Sequence, residues 1–132
     1  MSDIDEFLED VGVGEFEEAP VKNYYATVAD FVDGFLSVNY ARPVSAQHTT
    51  FRWCPYWWEH AEAIARLEAL WTAWEAMRLD PTTGRAAWWR DYCDPTMNAL
   101  CNAEEPFRAC SDTQHQTQPN LPLSPPPHGL FP

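Results

Sequence analysis

The sequence predicts a small all-α domain of about four helices, built around one long helix, with a disordered tail at each end. From Tyr56 to Leu79 the chain contains no glycine or proline and is rich in alanine, leucine, glutamate and arginine, which favours a helix. No stretch elsewhere has a pattern strong enough to build a sheet. At 132 residues the chain is long enough for one domain and not for two.

The long helix is predicted to span residues 55–79, with Pro55 in its first turn, where a missing amide costs nothing. Apolar side chains recur there at helical spacing and form one broad face. The columns of that face are Trp57, Ile64 and Trp71, then His60, Leu67 and Trp74, then Ala63, Leu70 and Met77. Trp58 falls on the opposite side, so either this helix packs on two sides or Trp58 is exposed for a partner.

A shorter amphipathic helix is predicted ahead of the long one, over residues 24–40. Its apolar residues have helical spacing, and Gly34 weakens it. Residues 41–53, which include Pro43, are predicted to form a loop with a short extended piece.

Two further short helices are predicted after the long one. Residues 80–84 have the Asp, Pro and Gly composition of a turn, which ends the long helix. Residues 85–93 and 95–101 are predicted to be separate helices, because Asp94 suits an N-cap and Pro95 suits a first helical position.

The charge of the chain divides it into three parts. Twenty acids against eight bases give a net charge of −12, yet residues 22–110 contain all the bases and all seven tryptophans. Residues 1–21 are acidic and interrupted by glycines, which predicts a disordered tail that either keeps the protein soluble or carries a partner-binding motif. Residues 111–132 are proline-rich, which predicts a second, extended tail.

Cysteines and histidines suggest one structural zinc ion. The chain starts without the basic region of a signal peptide, so its four cysteines are expected to be reduced in the cytoplasm, where metal binding is commoner than disulfides. Cys54, His60, Cys110 and His115 would complete a tetrahedral Cys2His2 site that ties the end of the domain to its main helix. One observation argues against this site. If Cys54 and His60 lie on one helix, their separation of six positions corresponds to ~9 Å of rise, and the two side chains do not share one face.

Other roles for these residues stay open at this point. Cys54 and His60 would also be ordinary buried side chains of the core, and Cys93 and Cys101 are substitute ligands. A third interpretation is a cysteine-based enzyme, since a thiol at a helix N-terminus has a lowered pKa and His60 would be its base. We find no phosphate-binding glycine loop and no serine-centred elbow.

Candidate binding residues are Trp58, Arg85, Trp89 and Arg90. Arginine beside tryptophan can stack on nucleic-acid bases, but the net charge disfavours a nucleic-acid partner. No run approaches the ~18 apolar residues of a membrane span, so no membrane partner is expected.

Several tryptophan-rich segments are distinctive when taken in order. They are Arg52-Trp53-Cys54-Pro55-Tyr56-Trp57-Trp58-Glu59-His60, Arg66-Leu67-Glu68-Ala69-Leu70-Trp71, Asp80-Pro81-Thr82-Thr83-Gly84, Trp88-Trp89-Arg90-Asp91, and Pro106-Phe107 before Cys110. Over residues 24–110 the chain resembles an uncharacterised actinobacterial domain family of unknown function, found on chromosomes, plasmids and phages. The resemblance implies a source and no activity.

The function expected from these observations is that of a non-enzymatic accessory protein of an actinobacterial phage or plasmid, which binds a protein partner. The alternative is a DNA-associated plasmid or phage factor, which would act through the arginine and tryptophan face or through an acidic tail that mimics DNA.

Overall fold

The computed structural model describes residues 21–47 and 50–132, and this part of the chain is all-α. Its sole β pairing is an isolated antiparallel bridge between Phe51 and Asn102. The acidic segment 1–20, for which a disordered tail is predicted, lies outside the described residues. No helix in the described part is long and apolar enough to cross a membrane.

The first helical run contains α1 (Val28–Phe31), a π-helical turn (Val32–Leu36) and α2 (Ser37–Asn39). It begins where the Thr27 hydroxyl accepts a hydrogen bond from the Asp30 amide. Because Gly34 has no side chain, the ring of Tyr25 can lie against the backbone there, at the place where a Cβ would stand.

The central helix is α3 (Ala61–Met77), which starts six residues later than residue 55, the predicted start. Residues 57–59 form a 3-10 turn (Trp57–Glu59), and His60 is extended, with φ −103° and ψ 113°. The extended backbone of His60 breaks the helix before Ala61, so the sequence prediction of a helix from Pro55 is wrong. Trp57 and Trp58 belong to the turn and not to the faces of α3.

The third run is continuous from α4 (Gly84–Trp88) through a π-helical turn (Trp89–Cys93) to α5 (Asp94–Cys101). Two separate helices were predicted here, and that prediction is wrong. The Asp94 amide donates to the Trp89 carbonyl, five residues back, so the wider turn leads into Pro95 without a break. The described residues therefore form three helical runs, where about four helices around one long helix were predicted, and the two longest runs, α3 and the run from α4 to α5, are of similar length.

The connection between α3 and α4 is fixed by one carboxylate and one glycine. Asp80 accepts hydrogen bonds from the amides and hydroxyls of both Thr82 and Thr83. A Cβ at Gly84 would collide with the carbonyl oxygen of Met77, so only glycine fits this close approach of the two helices.

The core lies where the three helical runs meet the loop after α5. Its largest fully buried side chains are Phe31, Leu36, Leu67, Leu70, Trp88, Leu100 and Phe107. The Trp88 indole donates to the Leu70 carbonyl at 3.1 Å, so its polar nitrogen is satisfied inside the core. Trp58 is 54% exposed and belongs to the turn before α3, so it does not give α3 a second packed side.

Glu75 is a buried polar anchor on α3. Its carboxylate accepts hydrogen bonds from the amides of Tyr24 and Tyr25, from the Trp71 indole and from Arg78, all within 3.0 Å. These four bonds hold the segment ahead of α1 against the end of α3. No prediction from the sequence included Glu75.

Candidate metal centre

Two short segments form the candidate site, one before α3 in the sequence and one after α5. The first contains Cys54 and His60 and curves through the 3-10 turn ahead of α3. The second contains Cys110 and His115 and follows α5. The Arg52 amide donates to the Cys101 carbonyl and the Arg52 guanidinium contacts the Cys110 carbonyl at 3.4 Å, which brings the two segments together.

Local turns aim the side chains of the second segment at the first. The Cys110 amide donates to the Phe107 carbonyl at 2.8 Å, which ends the loop in a turn. The Ser111 amide then donates to the Gln114 carbonyl at 2.9 Å. This second turn reverses the chain, so His115 returns to face Cys54.

The four side chains named above converge on one point. One ligand atom from each of Cys54, His60, Cys110 and His115 lies within 4.8 Å of the others. Cys54 Sγ is 3.0 Å from His115 Nδ1, and Cys110 Sγ is 3.6 Å from His60 Nε2. Tetrahedral zinc with ordinary bond lengths would place such atoms about 3.3 to 3.8 Å apart. The cluster could therefore hold a metal ion once its longest separation, up to 4.8 Å, shortens by about 1 Å or slightly more.

The spacing objection raised by the sequence does not apply to this geometry. It assumed that Cys54 and His60 lie on one helix, with the rise of six helical residues between them. Both residues precede α3, and the chain between them bends through the 3-10 turn, so their side chains meet.

Burial makes the cluster a poor place for unpaired charge. Cys54 and Cys110 are fully buried and His60 is 5% exposed, whereas His115 lies at the edge of the site. Burial raises the pKa of the Cys54 thiol well above its ordinary value, against the opposing hydrogen bond from the Tyr56 backbone. Burial, and next to it His115, lower the pKa of His60, which favours the neutral imidazole that metals bind.

The same geometry argues against Cys54 as a nucleophile. A reactive cysteine needs a lowered pKa, and here burial raises it. Cys54 is also not at the N-terminus of a helix, because α3 begins at Ala61. The nearest histidine nitrogen is that of His115, at 3.0 Å, and not the predicted base His60.

A carboxylate supports the cluster from outside. Glu59 Oε2 lies 2.7 Å from His115 Nε2, the ring nitrogen that faces away from Cys54. No prediction from the sequence gave Glu59 a role in the site. Its position next to His60, a predicted ligand, was the feature of the sequence that could have indicated a place in the site.

The substitute ligands Cys93 and Cys101 lie outside the cluster, buried in the helical core. Burial raises the pKa of each thiol to about 12. Both are therefore ordinary apolar side chains of α5 and the turn before it.

The other predicted binding residues differ in their exposure and in their pairing. Arg85 is exposed on α4, and Arg90 is paired with Asp91 at 2.8 Å. The indole of Trp89 stacks on the ring of Tyr40 at 6.3 Å and is only partly exposed, so it is not free to stack on a base. Trp58 lies beside Tyr56 at 6.0 Å, and Tyr56 in turn lies 5.4 Å from the ring of His115 in the cluster.

Residues 25–128 match a family described as a domain of unknown function (DUF4913). All four residues of the cluster fall inside the matched stretch. No curated protein and no solved structure matches the chain. Because the match covers most of the 132 residues, the chain belongs to the DUF4913 family.

Proposed function

We propose that this chain is a non-enzymatic interaction module whose fold is completed by one structural zinc ion. The observation that carries the proposal is the convergence of Cys54, His60, Cys110 and His115 on one point. Two sulfur and two nitrogen ligands in a tetrahedral arrangement favour zinc over magnesium or calcium. Four protein ligands fill the coordination sphere, which is the arrangement of structural sites and leaves no position for a substrate.

A structural ion would add stability where this fold has little of its own. The segment after α5 is joined to the core through Phe107, Cys110 and a few backbone hydrogen bonds, and beyond Gln116 its side chains are largely exposed. Zinc would link residue 60 with residue 110, 50 positions away, and residue 54 with residue 115, 61 positions away. Because binding requires the folded arrangement, its free energy would add to the stability of the fold.

The proposed contact surface is the exposed aromatic pair next to the cluster. Tyr56 and Trp58 are about half exposed and meet edge to face, and Tyr56 also lies 5.4 Å from the ring of His115. Tyrosine and tryptophan are the residues that most often anchor protein interfaces. We propose a protein partner in a reducing compartment such as the cytoplasm. A role as an accessory protein of an actinobacterial phage or plasmid rests on the sequence resemblance.

The two other functions considered are less well supported. A nucleic-acid surface would need free arginines beside a free aromatic ring, but Arg90 pairs with Asp91 and Trp89 packs on Tyr40. A cysteine enzyme would need a thiol that a substrate can reach, whereas Cys54 is fully buried and does not stand at the start of α3.

The zinc proposal is tested by thermal unfolding with and without a strong chelator. The parent should lose stability on chelation, and Cys110→Ser should be unstable in both conditions. Cys93→Ser is the matched control, because Cys93 is equally buried but outside the cluster. Its Tm should still fall on chelation. A parent whose Tm does not respond to the chelator would contradict the structural role.

The contact surface is tested by comparing two equally exposed apolar residues. Trp58 is 54% exposed and Leu79, two residues past the end of α3, is 52% exposed. A partner that co-purifies with the parent should be lost from Trp58→Ala and kept by Leu79→Ala. Equal retention by both variants would exclude Trp58 as the contact.

A further inference from the structure

His115 uses its two ring nitrogens in opposite directions. Nδ1 points to the cluster and lies 3.0 Å from Cys54 Sγ, and Nε2 points outward and lies 2.7 Å from Glu59 Oε2. A histidine that binds a metal through one nitrogen has a proton on the other, and that N–H needs an acceptor. The carboxylate of Glu59 is at the correct distance to be this acceptor.

The turn that shapes the cluster also positions Glu59. It is the last residue of the 3-10 turn, and its amide donates to the Tyr56 carbonyl at 2.9 Å. The next residue, His60, is itself in the cluster. The end of this turn therefore supplies two groups to the site: the ligand His60, and the carboxylate of Glu59, which can accept a hydrogen bond from His115. The contact between Glu59 and His115 joins the two segments in addition to any bonds through the metal.

We infer that Glu59 is a positioning residue of the metal site, which holds His115 in the tautomer and orientation that presents Nδ1 to the ion. This inference rests on the proposed zinc site. Outer-shell carboxylates of this kind fix the ring and raise the basicity of the bound nitrogen, and their removal costs about 10- to 100-fold in metal affinity.

The competing interpretation is a surface ion pair without influence on the metal. The Glu59 side chain is 42% exposed, and exposed pairs contribute little to stability. The two interpretations differ in what they predict for zinc affinity. An ion pair alone would leave the affinity unchanged when the carboxylate is removed, whereas a positioning residue would not.

The experiment measures the zinc affinity of the full chain by competition with a chromophoric chelator. Glu59→Ala should bind zinc about 10- to 100-fold more weakly than the parent. Glu59→Gln should recover part of the loss, because its amide oxygen can accept the same N–H. Glu62→Ala is the matched control, since Glu62 is a comparably exposed carboxylate on the next turn that pairs with Arg66. It should stay within about twofold of the parent.

A second readout reports the orientation of the ring directly. In zinc-loaded parent, long-range proton–nitrogen NMR spectra should show His115 bound through Nδ1 and protonated at Nε2, with the Nε2 proton protected from exchange. That protection should be lost in Glu59→Ala when zinc is saturating.

Two results would overturn the inference while leaving the zinc site intact. They are a Glu59→Ala affinity within twofold of the parent, and equal losses in Glu59→Ala and Glu62→Ala. Failure of the parent to bind zinc would instead overturn the proposed function, and this inference with it. The affinity of the parent is therefore measured first.

Discussion

Replacing Glu75 with alanine should destabilise the fold through loss of a single buried acceptor. Glu75 is 6% exposed, and its two oxygens receive four hydrogen bonds. Alanine would leave the Tyr25 amide and the Trp71 indole without their acceptor in a partly buried position. Arg78 is 23% exposed and can turn toward water, so its loss matters less.

The expected magnitude follows from these partners. Each buried donor without an acceptor costs about 1–3 kcal/mol, and breaking a buried charged pair costs about 3–5 kcal/mol. Since Arg78 is partly solvated, we expect a loss at the low end, about 3 kcal/mol. For a domain of this size the loss corresponds to a fall in Tm of roughly 12–24 °C.

The pH dependence of this contribution has a definite sign. Burial alone would raise the pKa of Glu75, but the hydrogen bonds from Tyr25, Tyr24, Arg78 and Trp71 outweigh it and lower the pKa below its ordinary value of 4.5. A carboxylate with a lowered pKa stabilises the fold above its unfolded pKa. The contribution should therefore be complete at neutral pH and should be lost as the pH falls below about 4.5.

The assay is urea unfolding followed by tryptophan fluorescence and circular dichroism at fixed excess zinc. Glu75→Ala is compared with Glu68→Ala, an exposed carboxylate on the same helix, which should change the free energy of unfolding by less than about 0.5 kcal/mol. Glu75→Gln should be intermediate, with a weaker pH dependence between pH 3 and 5. A Glu75→Ala variant as stable as the control would refute the anchoring role.

Three further changes test the packing with the same urea unfolding assay. Gly84→Ala should lose about 1–3 kcal/mol although alanine is the better helix former, because its Cβ would collide with the Met77 carbonyl; a gain in stability would show that the close approach is wrong. Trp88→Phe should lose about 2–4 kcal/mol, since it removes buried volume and the donor to the Leu70 carbonyl, and a loss under 1 kcal/mol would contradict its central position. Trp58→Ala should change stability by less than about 0.5 kcal/mol, and a larger loss would mean that its ring is packed.

The sequence was most informative where residue type alone determines the chemistry. Cysteine and histidine are few in this chain, and both segments that contain them in pairs supply the cluster. The all-α class also followed from composition, because residues 56–79 contain neither glycine nor proline. Such signals are local and do not depend on how the helices pack.

The predicted helix boundaries were wrong where tertiary contacts override the local conformational preference of the residues. Pro55 suits a first helical turn, yet the chain around it bends so that Cys54 and His60 can meet, and α3 begins only at Ala61. Asp94 and Pro95 have the chemistry of a helix start, yet a π-helical turn carries the helix through them.

The two residues whose roles could not be predicted from the sequence are both glutamates, and neither lies in a recognisable motif. Glu75 and Glu59 act through partners 50 or more positions away in sequence, Tyr24, Tyr25 and His115. Periodicity assigns a lone glutamate to a solvated face. Only the packing of distant segments shows that each receives buried or directed donors.

The most direct test of the central claim is the metal content of the chain. Protein purified without chelators and without a histidine tag is analysed for zinc, iron, copper and nickel, together with Cys110→Ser, His60→Ala and the control Cys93→Ser. The account predicts about one zinc per chain in the parent and in Cys93→Ser, and none in the two cluster variants. A parent without bound metal that also fails to take up added zinc would contradict it.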